Sequence, residues 1–223
     1  MPAMRSIDLS RVLRALAALP GASGVEGRAR QEALDLIERD ALVQPAFSYR
    51  ILPVRELRGE TIDLGDATLR VAELAAESGE LTAVAAATCT LGGALEARVT
   101  ALFRAHRPLL AVALDAVGNE LLFRVADRTF ARIRREARRQ ELETGAELHP
   151  GDSGIALDQQ STLLALAGAE PNTIALTAHG MLAPVKSLSF LATLGRNLSG
   201  RSSRRCDHCP SKDRCRILAH RTQ

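Results

Sequence analysis

An α+β fold is predicted by three features of this sequence. Segments rich in β-formers come in runs, helical periodicities stand between those runs, and no regular strand-helix alternation marks a parallel wind. A chain of 223 residues holds one generous domain or two small ones, and a core of that size buries about 70% of the unfolded surface. The composition is 46% hydrophobic and 25% charged, which is ordinary for a globular protein. With 3% aromatics and no Trp, the core must be built from Leu, Ala, Val and Ile, and disorder is confined to the ends.

Asp8 or Ser10 is placed to cap a first short helix with Val12, Leu13, Leu16 and Leu19 on one face, and Pro20-Gly21 stops it. Ser23 precedes a second helix in which Ala33, Leu34, Ile37 and Ala41 recur at helical spacing, closed by Pro45. Strands are predicted over residues 47–54, 68–71 and 82–88, with Gly59, Gly65 and Gly79 as turn signals between them. Leu95, Val99 and Leu102 give a helical face leading to Pro108. The apolar run 109–114 precedes a long helix whose single stripe is Leu122, Val125, Ala126, Thr129, Phe130, Ile133 and Ala137. A loop, His149-Pro150-Gly151-Asp152-Ser153-Gly154, leads to a helix over 156–167 for which Ser153 or Asp152 is the natural cap. Two strands, 173–178 and 187–194, flank Met181-Leu182-Ala183-Pro184 and are expected to pair antiparallel. From residue 197 the composition turns to Ser, Arg, Cys and Lys, which divides the chain into a folded domain, 1–196, and a basic cysteine-rich tail, 197–223.

The net charge is only +3, but the basic residues crowd two places. Arg134, Arg135, Arg138 and Arg139 read as a solvated helix face, whereas Arg201, Arg204, Arg205, Lys212, Arg214, Arg216 and Arg221 suit an acidic partner or nucleic acid. Residues 1–19 alternate charged and apolar side chains and so lack the continuous apolar run of a signal peptide. The longest weakly polar run, 81–95, falls short of the ~20 residues that span a bilayer. A cytoplasmic protein without a membrane partner is the expectation, and the 4 cysteines fit a reducing compartment better than a secreted disulfide framework.

Three of those cysteines form the sharpest chemical signal, Cys206-Asp207-His208-Cys209 followed by Cys215. In C-x2-C two thiolates reach one ion from a tight turn, and the third returns after a loop. A fourth ligand from His220 or His208 completes a tetrahedral zinc site, and the same thiolates equally hold an iron–sulfur cluster. Arg205, Lys212, Arg214 and Arg216 favour thiolates under either reading. Cys89, in an Ala/Thr-rich segment, reads as a small buried hydrophobe. The Pro150-Gly151 loop before a helix start offers backbone N–H groups to an anion, although an ordinary turn looks the same in sequence. Asp115 reads as a capping residue and His179 as a turn residue. Nucleophile elbow, P-loop and dinucleotide fingerprint are all missing, so no acid/base pair is assigned.

Residues 169–194 resemble the signature region of the activation domain of cobalamin-dependent methionine synthase. In that family a Leu-Thr-Glu-Ser type strand is followed by Met-x-Pro and a Ser-x-Ser strand. Here the corresponding residues are Leu176-Thr177-Ala178-His179, Met181-Leu182-Ala183-Pro184 and Ser187-Leu188-Ser189. Pro150-Gly151 matches the family's Pro-Gly-Tyr loop, and Tyr49-Arg50-Ile51-Leu52-Pro53 with segments 85–92 and 110–118 extends the likeness over residues 8–195. Some stand-alone proteins of this kind also end in a cysteine cluster.

The resemblance implies a bent antiparallel sheet with flanking helices. It also implies an accessory role: reductive activation or methylation of a corrinoid (cobalamin) protein, by docking and electron transfer from a flavodoxin- or ferredoxin-type donor. Cobalamin would then be met only through the partner, a corrinoid-binding methyltransferase protein. The family's S-adenosylmethionine motif, Arg-x-x-x-Gly-Tyr, aligns with Glu147, Gly151 and Asp152, so only the Gly is kept. Glu in place of Arg reverses the charge that meets the ligand's carboxylate, and like charges at close range repel. S-adenosylmethionine binding in the family's manner is therefore not expected. The competing reading is a zinc-knuckle nucleic-acid or protein-interaction module on an inert scaffold.

Overall fold

The computed structural model describes residues 4–8, 10, 13, 16, 24–72, 79–152 and 154–198. Its centre is a five-stranded antiparallel sheet in which the longest strands take the middle. From one edge these are β1 (Arg5–Ser6), β2 (Ala46–Pro53), β6 (Glu80–Thr90), β10 (Ser187–Arg196) and β7 (Glu143–Leu148). A separate three-stranded meander holds β3 (Glu56–Arg58), β4 (Thr61–Asp63) and β5 (Thr68–Arg70), and β8 (Ala175–Leu176) pairs with β9 (Leu182–Ala183). The helices are α1 (Gly24–Arg39), α2 (Ala94–Arg104), α3 (Pro108–Arg139) and α4 (Gln160–Ala167), the last preceded by a 3-10 turn at Leu157–Gln159.

Period-two alternation sends the side chains of β6 into two cores. Ala83, Ala85 and Ala87 face the same way as Phe190 and Ala192 of β10 and pack with Ile133 and Ala137 of α3. Cys89 continues this side into a larger cluster with Phe47, Leu114, Leu121 and the buried stripe Leu34, Leu36 and Ile37 of α1. The alanines let the long helix lie close to the sheet. On the other side Val84, Ala86 and Leu191 meet Ile62 and Leu69 of the meander and Leu163 and Leu166 of α4. Register shifts at Ala192/Leu194 and Leu194/Gly195 place one extra residue in β7 and one in β6 opposite β10, and such bulges bend the sheet. A side chain at Gly195 would put its Cβ within 2.0 Å of the Glu80 carbonyl oxygen, so this bend tolerates only glycine.

Several expectations are corrected. The apolar run 109–114 is not a separate segment but the first turns of α3, started by Pro108 at its N-terminus. Asp115 lies inside that helix and caps nothing; its Oδ1 accepts from Lys186 Nζ at 2.6 Å. The long-helix stripe is otherwise as predicted, and α1 ends at Arg39, with Ala41 outside it at φ 47°. Segments 173–178 and 187–194 do not pair with each other. Only Ala175–Leu176 is extended in the first, and it pairs with Leu182–Ala183, while Ser187–Arg196 runs between β6 and β7. Neither β7 nor β3 and β4 was predicted. The last helix starts at Gln160 and has no side-chain cap, so Asp152 does not cap it. At the N-terminus Asp8 Oδ1 accepts from the N–H and hydroxyl of Ser10 at 2.9 and 2.6 Å, while the helix expected after it falls mostly outside the described residues. Val12, Leu19, Ser23 and Ser153 lie outside the described residues, as does the tail with Cys206, Cys209, Cys215 and His220.

Candidate functional site

On the meander side of the sheet the surface changes character halfway along. Paired residues share a face, so each register line is a row across the strands. Leu52, Val84 and Thr193 make one row, and Arg50, Ala86 and Leu191 the next. Then come Ser48, Thr88 and Ser189, followed by Ala46, Thr90 and Ser187, with Ser6 beside Ala46. One end of this face is thus tiled with hydroxyls that are almost wholly buried.

Most of these hydroxyls are used. Thr88 Oγ1 donates to the Leu188 carbonyl at 3.1 Å, Thr90 Oγ1 to the Lys186 carbonyl at 3.3 Å, and Ser187 Oγ to Thr90 Oγ1 at 2.7 Å. Ser48 Oγ and Ser189 Oγ, on residues each 3% exposed, have no hydrogen-bond partner among the described residues. A buried polar atom left this way costs about 1–3 kcal/mol, a cost that a fold keeps only where something offsets it.

In front of the outermost row opens a cleft of about 630 Å³. Its polar lining includes Ser6, Gln44, Thr90, Glu170, Asn172 and Thr173, and Gly92-Gly93 brings bare backbone to its wall. Among the described residues no Lys or Arg lines it, and those that do offer hydroxyls, amides and one carboxylate. Glu170 Oε1 accepts the Met4 N–H at 3.1 Å, which ties the strand-β1 edge to the loop after α4. Behind the cleft, buried Lys186 reaches Asp115 and, at 2.7 Å, Asn119 Oδ1, joining the start of β10 to α3.

At the opposite edge of the same end stands the loop singled out in the sequence. Glu147 belongs to β7, Gly151 has φ 96°, and Asp152 is exposed in the turn. The strand does bring the three together, but their groups are committed. His149 places Nδ1 3.1 Å from the Ser189 carbonyl and Nε2 3.1 Å from Glu147 Oε1, with both side chains largely buried. A carbonyl cannot donate, so the Nδ1–H of His149 donates to Ser189, which turns Nε2 toward the Glu147 carboxylate. The Gly151 N–H donates to the Ile155 carbonyl at 2.8 Å and the Asp152 N–H to the His149 carbonyl at 3.0 Å. The loop is thus an internally satisfied turn, in line with the ordinary-turn reading of its sequence.

His179 is exposed in the turn between β8 and β9, where the Gly180 N–H donates to the Thr177 carbonyl at 3.0 Å. Cys89 is fully buried, as the sequence predicts. No group of three or more His, Cys, Asp or Glu side chains suited to a metal occurs among the described residues, and none of their helices is long and apolar enough to cross a membrane. What the sequence reading missed is the hydroxyl tiling. Its trace is Thr-x-Thr at 88 and 90 in an alanine strand and Ser-x-Ser at 187 and 189, legible as one surface only once the register is known.

The chain is similar in fold to the MetH reactivation domain, solved as a crystal structure bound to AdoHcy, with a TM-score of 0.55 and 16% sequence identity. The likeness covers 86% of this chain and 77% of that one. No family model and no curated protein matches the sequence.

Proposed function

We propose that this chain is an accessory protein that supports reductive activation or methylation of a corrinoid protein by docking over its cobalamin. The observation that carries the reading is a fold likeness to a methionine synthase reactivation domain over 86% of the chain, joined to a hydroxyl-rich sheet end in which Ser48 and Ser189 have no partner among the described residues. A corrinoid rim bears primary amides, which donate and accept. Ser6, Thr173, Gln44 and Asn172, which line a cleft with no Lys or Arg among its described residues, are matched partners for such a rim. The neighbour's AdoHcy has no matched counterpart, because Glu147 sits where a carboxylate-binding Arg is expected and is occupied by His149. The role is therefore docking and cover, with S-adenosylmethionine bound weakly or not at all. Cys206, Cys209, Cys215 and His220 are proposed as one zinc or iron–sulfur site serving structure or an electron route.

The test is retention of the host's corrinoid proteins in the cob(II) state on the immobilised full-length chain, followed by electron paramagnetic resonance of the cobalt. Enrichment of a corrinoid protein with an altered cobalt spectrum supports the reading. An unchanged spectrum without enrichment, and retention of nucleic acid instead, transfers the case to the interaction-module reading.

A further inference from the structure

The edge strand β1 separates the cleft from a second surface. Ser6 lines the cleft, whereas Arg5, next along the strand, lies on the α3 side with its guanidinium 5.8 Å from the Tyr49 ring centroid. On α3, Arg128, Arg132, Arg135 and Arg139 are spaced four, three and four residues apart and so share one flank of the helix, with Arg132 over Phe47, the stacked neighbour of Tyr49. Residues 124–139 hold seven arginines against two acids, Asp127 and Glu136. The acid on this flank is engaged, since the Tyr49 hydroxyl donates to Glu136 Oε2 at 2.6 Å.

The inner arginines are fixed in place. Arg128 Nη1 donates to the Asp8 carbonyl at 2.9 Å, and the Arg132 guanidinium lies 4.9 Å from the Phe47 ring centroid. Arg135 and Arg139 extend the row into solvent. Side chains held before contact lose less freedom on binding, and a guanidinium fork matches a carboxylate with two parallel hydrogen bonds.

We infer that this flank, Arg5 with Arg128, Arg132, Arg135 and Arg139, is a docking surface for an acidic protein surface. It rests on the corrinoid reading only for the partner's identity: a carrier seated on the β1 edge meets the arginines with its acidic residues and the cleft with its corrinoid. Nucleic acid fits this surface less well. Phe47 and Tyr49 lie beneath arginines, so they offer no free face for stacking bases, and the flank is the convex side of a helix instead of a groove.

The experiment compares three probes on the full-length chain: the purified corrinoid carrier, poly-L-glutamate and a single-stranded oligodeoxynucleotide. Two pairs of exposed positions are reversed in charge, Arg135→Glu with Arg139→Glu on the flank and Arg134→Glu with Arg138→Glu on the outer face. Flank variants with Gln in place of Glu guard against harm to the end of the helix, and circular dichroism checks the fold. The flank pair is expected to weaken carrier and polyglutamate binding by about tenfold or more, the outer pair by less than about threefold, and wild-type binding is expected to fall steeply with salt. Equal losses from both pairs, or tighter binding of the oligonucleotide than of polyglutamate, would overturn the inference. If the wild type binds no carrier, the corrinoid reading fails, and the polyglutamate comparison alone decides the surface.

Discussion

The two faces of strand β6 differ in kind although they belong to the same eleven residues, Glu80–Thr90. Toward the long helix every inward position from Ala83 to Cys89 is small and apolar, and a helix covers them along their length. Toward the meander the strand begins in the same manner with Val84 and Ala86, then turns to Thr88 and Thr90 and borrows hydroxyls from both neighbours. Burial alone does not separate the faces, since these four residues are 0% exposed and so are Ala85, Ala87 and Cys89 on the other face. The difference lies in what the buried atoms need. The first face is satisfied by packing; the second has hydrogen-bonding capacity left over at Ser48 and Ser189, and it adjoins a cleft.

Breaking the first face should have the largest effect. Phe190 is fully buried, and its ring lies near those of Phe130 and His149. Phe190→Ala should destabilise the protein by about 3–5 kcal/mol, read by denaturant unfolding, because the lost contacts and the cavity add. A cost below about 1 kcal/mol would mean that this face is not the structural core.

The second face should respond in the opposite sense. Ser48→Ala and Ser189→Ala remove hydroxyls that have no described partner, so each should change stability by no more than about 1 kcal/mol, toward stabilisation. A loss of stability above about 2 kcal/mol would show that the hydroxyls are structural after all.

The smallest effect concerns the phenol at the arginine flank. Burial pushes Tyr49 above its ordinary pKa of 10.0; the hydrogen bond to Glu136 and the carboxylate's charge add to this, while Arg5 and Arg132 oppose it. The folded state therefore favours the neutral phenol. Its contribution to stability is full below the unfolded value and is lost as pH rises through the folded one. This is the chain's one tyrosine, in a sequence without Trp, so ultraviolet absorbance follows it directly. The midpoint should lie above 10.0 and fall in Glu136→Gln. A midpoint at or below 10.0 in the wild type would mean that arginine charge outweighs burial at this flank.

Much of the fold was legible in the residues, and where it was not, the reason is local. Helical stripes such as Val125, Thr129 and Ile133 and β-former runs such as 47–54 carry their period in sequence. β7 does not, because Glu143-Thr144-Gly145-Ala146-Glu147 lacks β-branched and aromatic density and is made a strand by the ladder with β10. The apolar run 109–114 reads alike as strand or buried helix, and only continuity with the next turns decides it. At the site, Glu147, Gly151 and Asp152 lie in one strand-and-turn segment, but their occupation by His149 and Ile155 depends on partners two and four residues away that no motif marks. The hydroxyl tiling needs three strands brought together from residues 48, 88 and 189, a property of register and not of any single segment.

The central claim is that the tiled end of the sheet is the face that meets a corrinoid protein. Hydrogen–deuterium exchange of the full chain, alone and with a cob(II) carrier, tests it most directly. Protection is expected in peptides covering residues 44–46, 90–93 and 170–173, the walls of the cleft, with the meander residues 56–70 unchanged. Protection confined to the meander, with the cleft walls exchanging as in the free protein, would contradict the account.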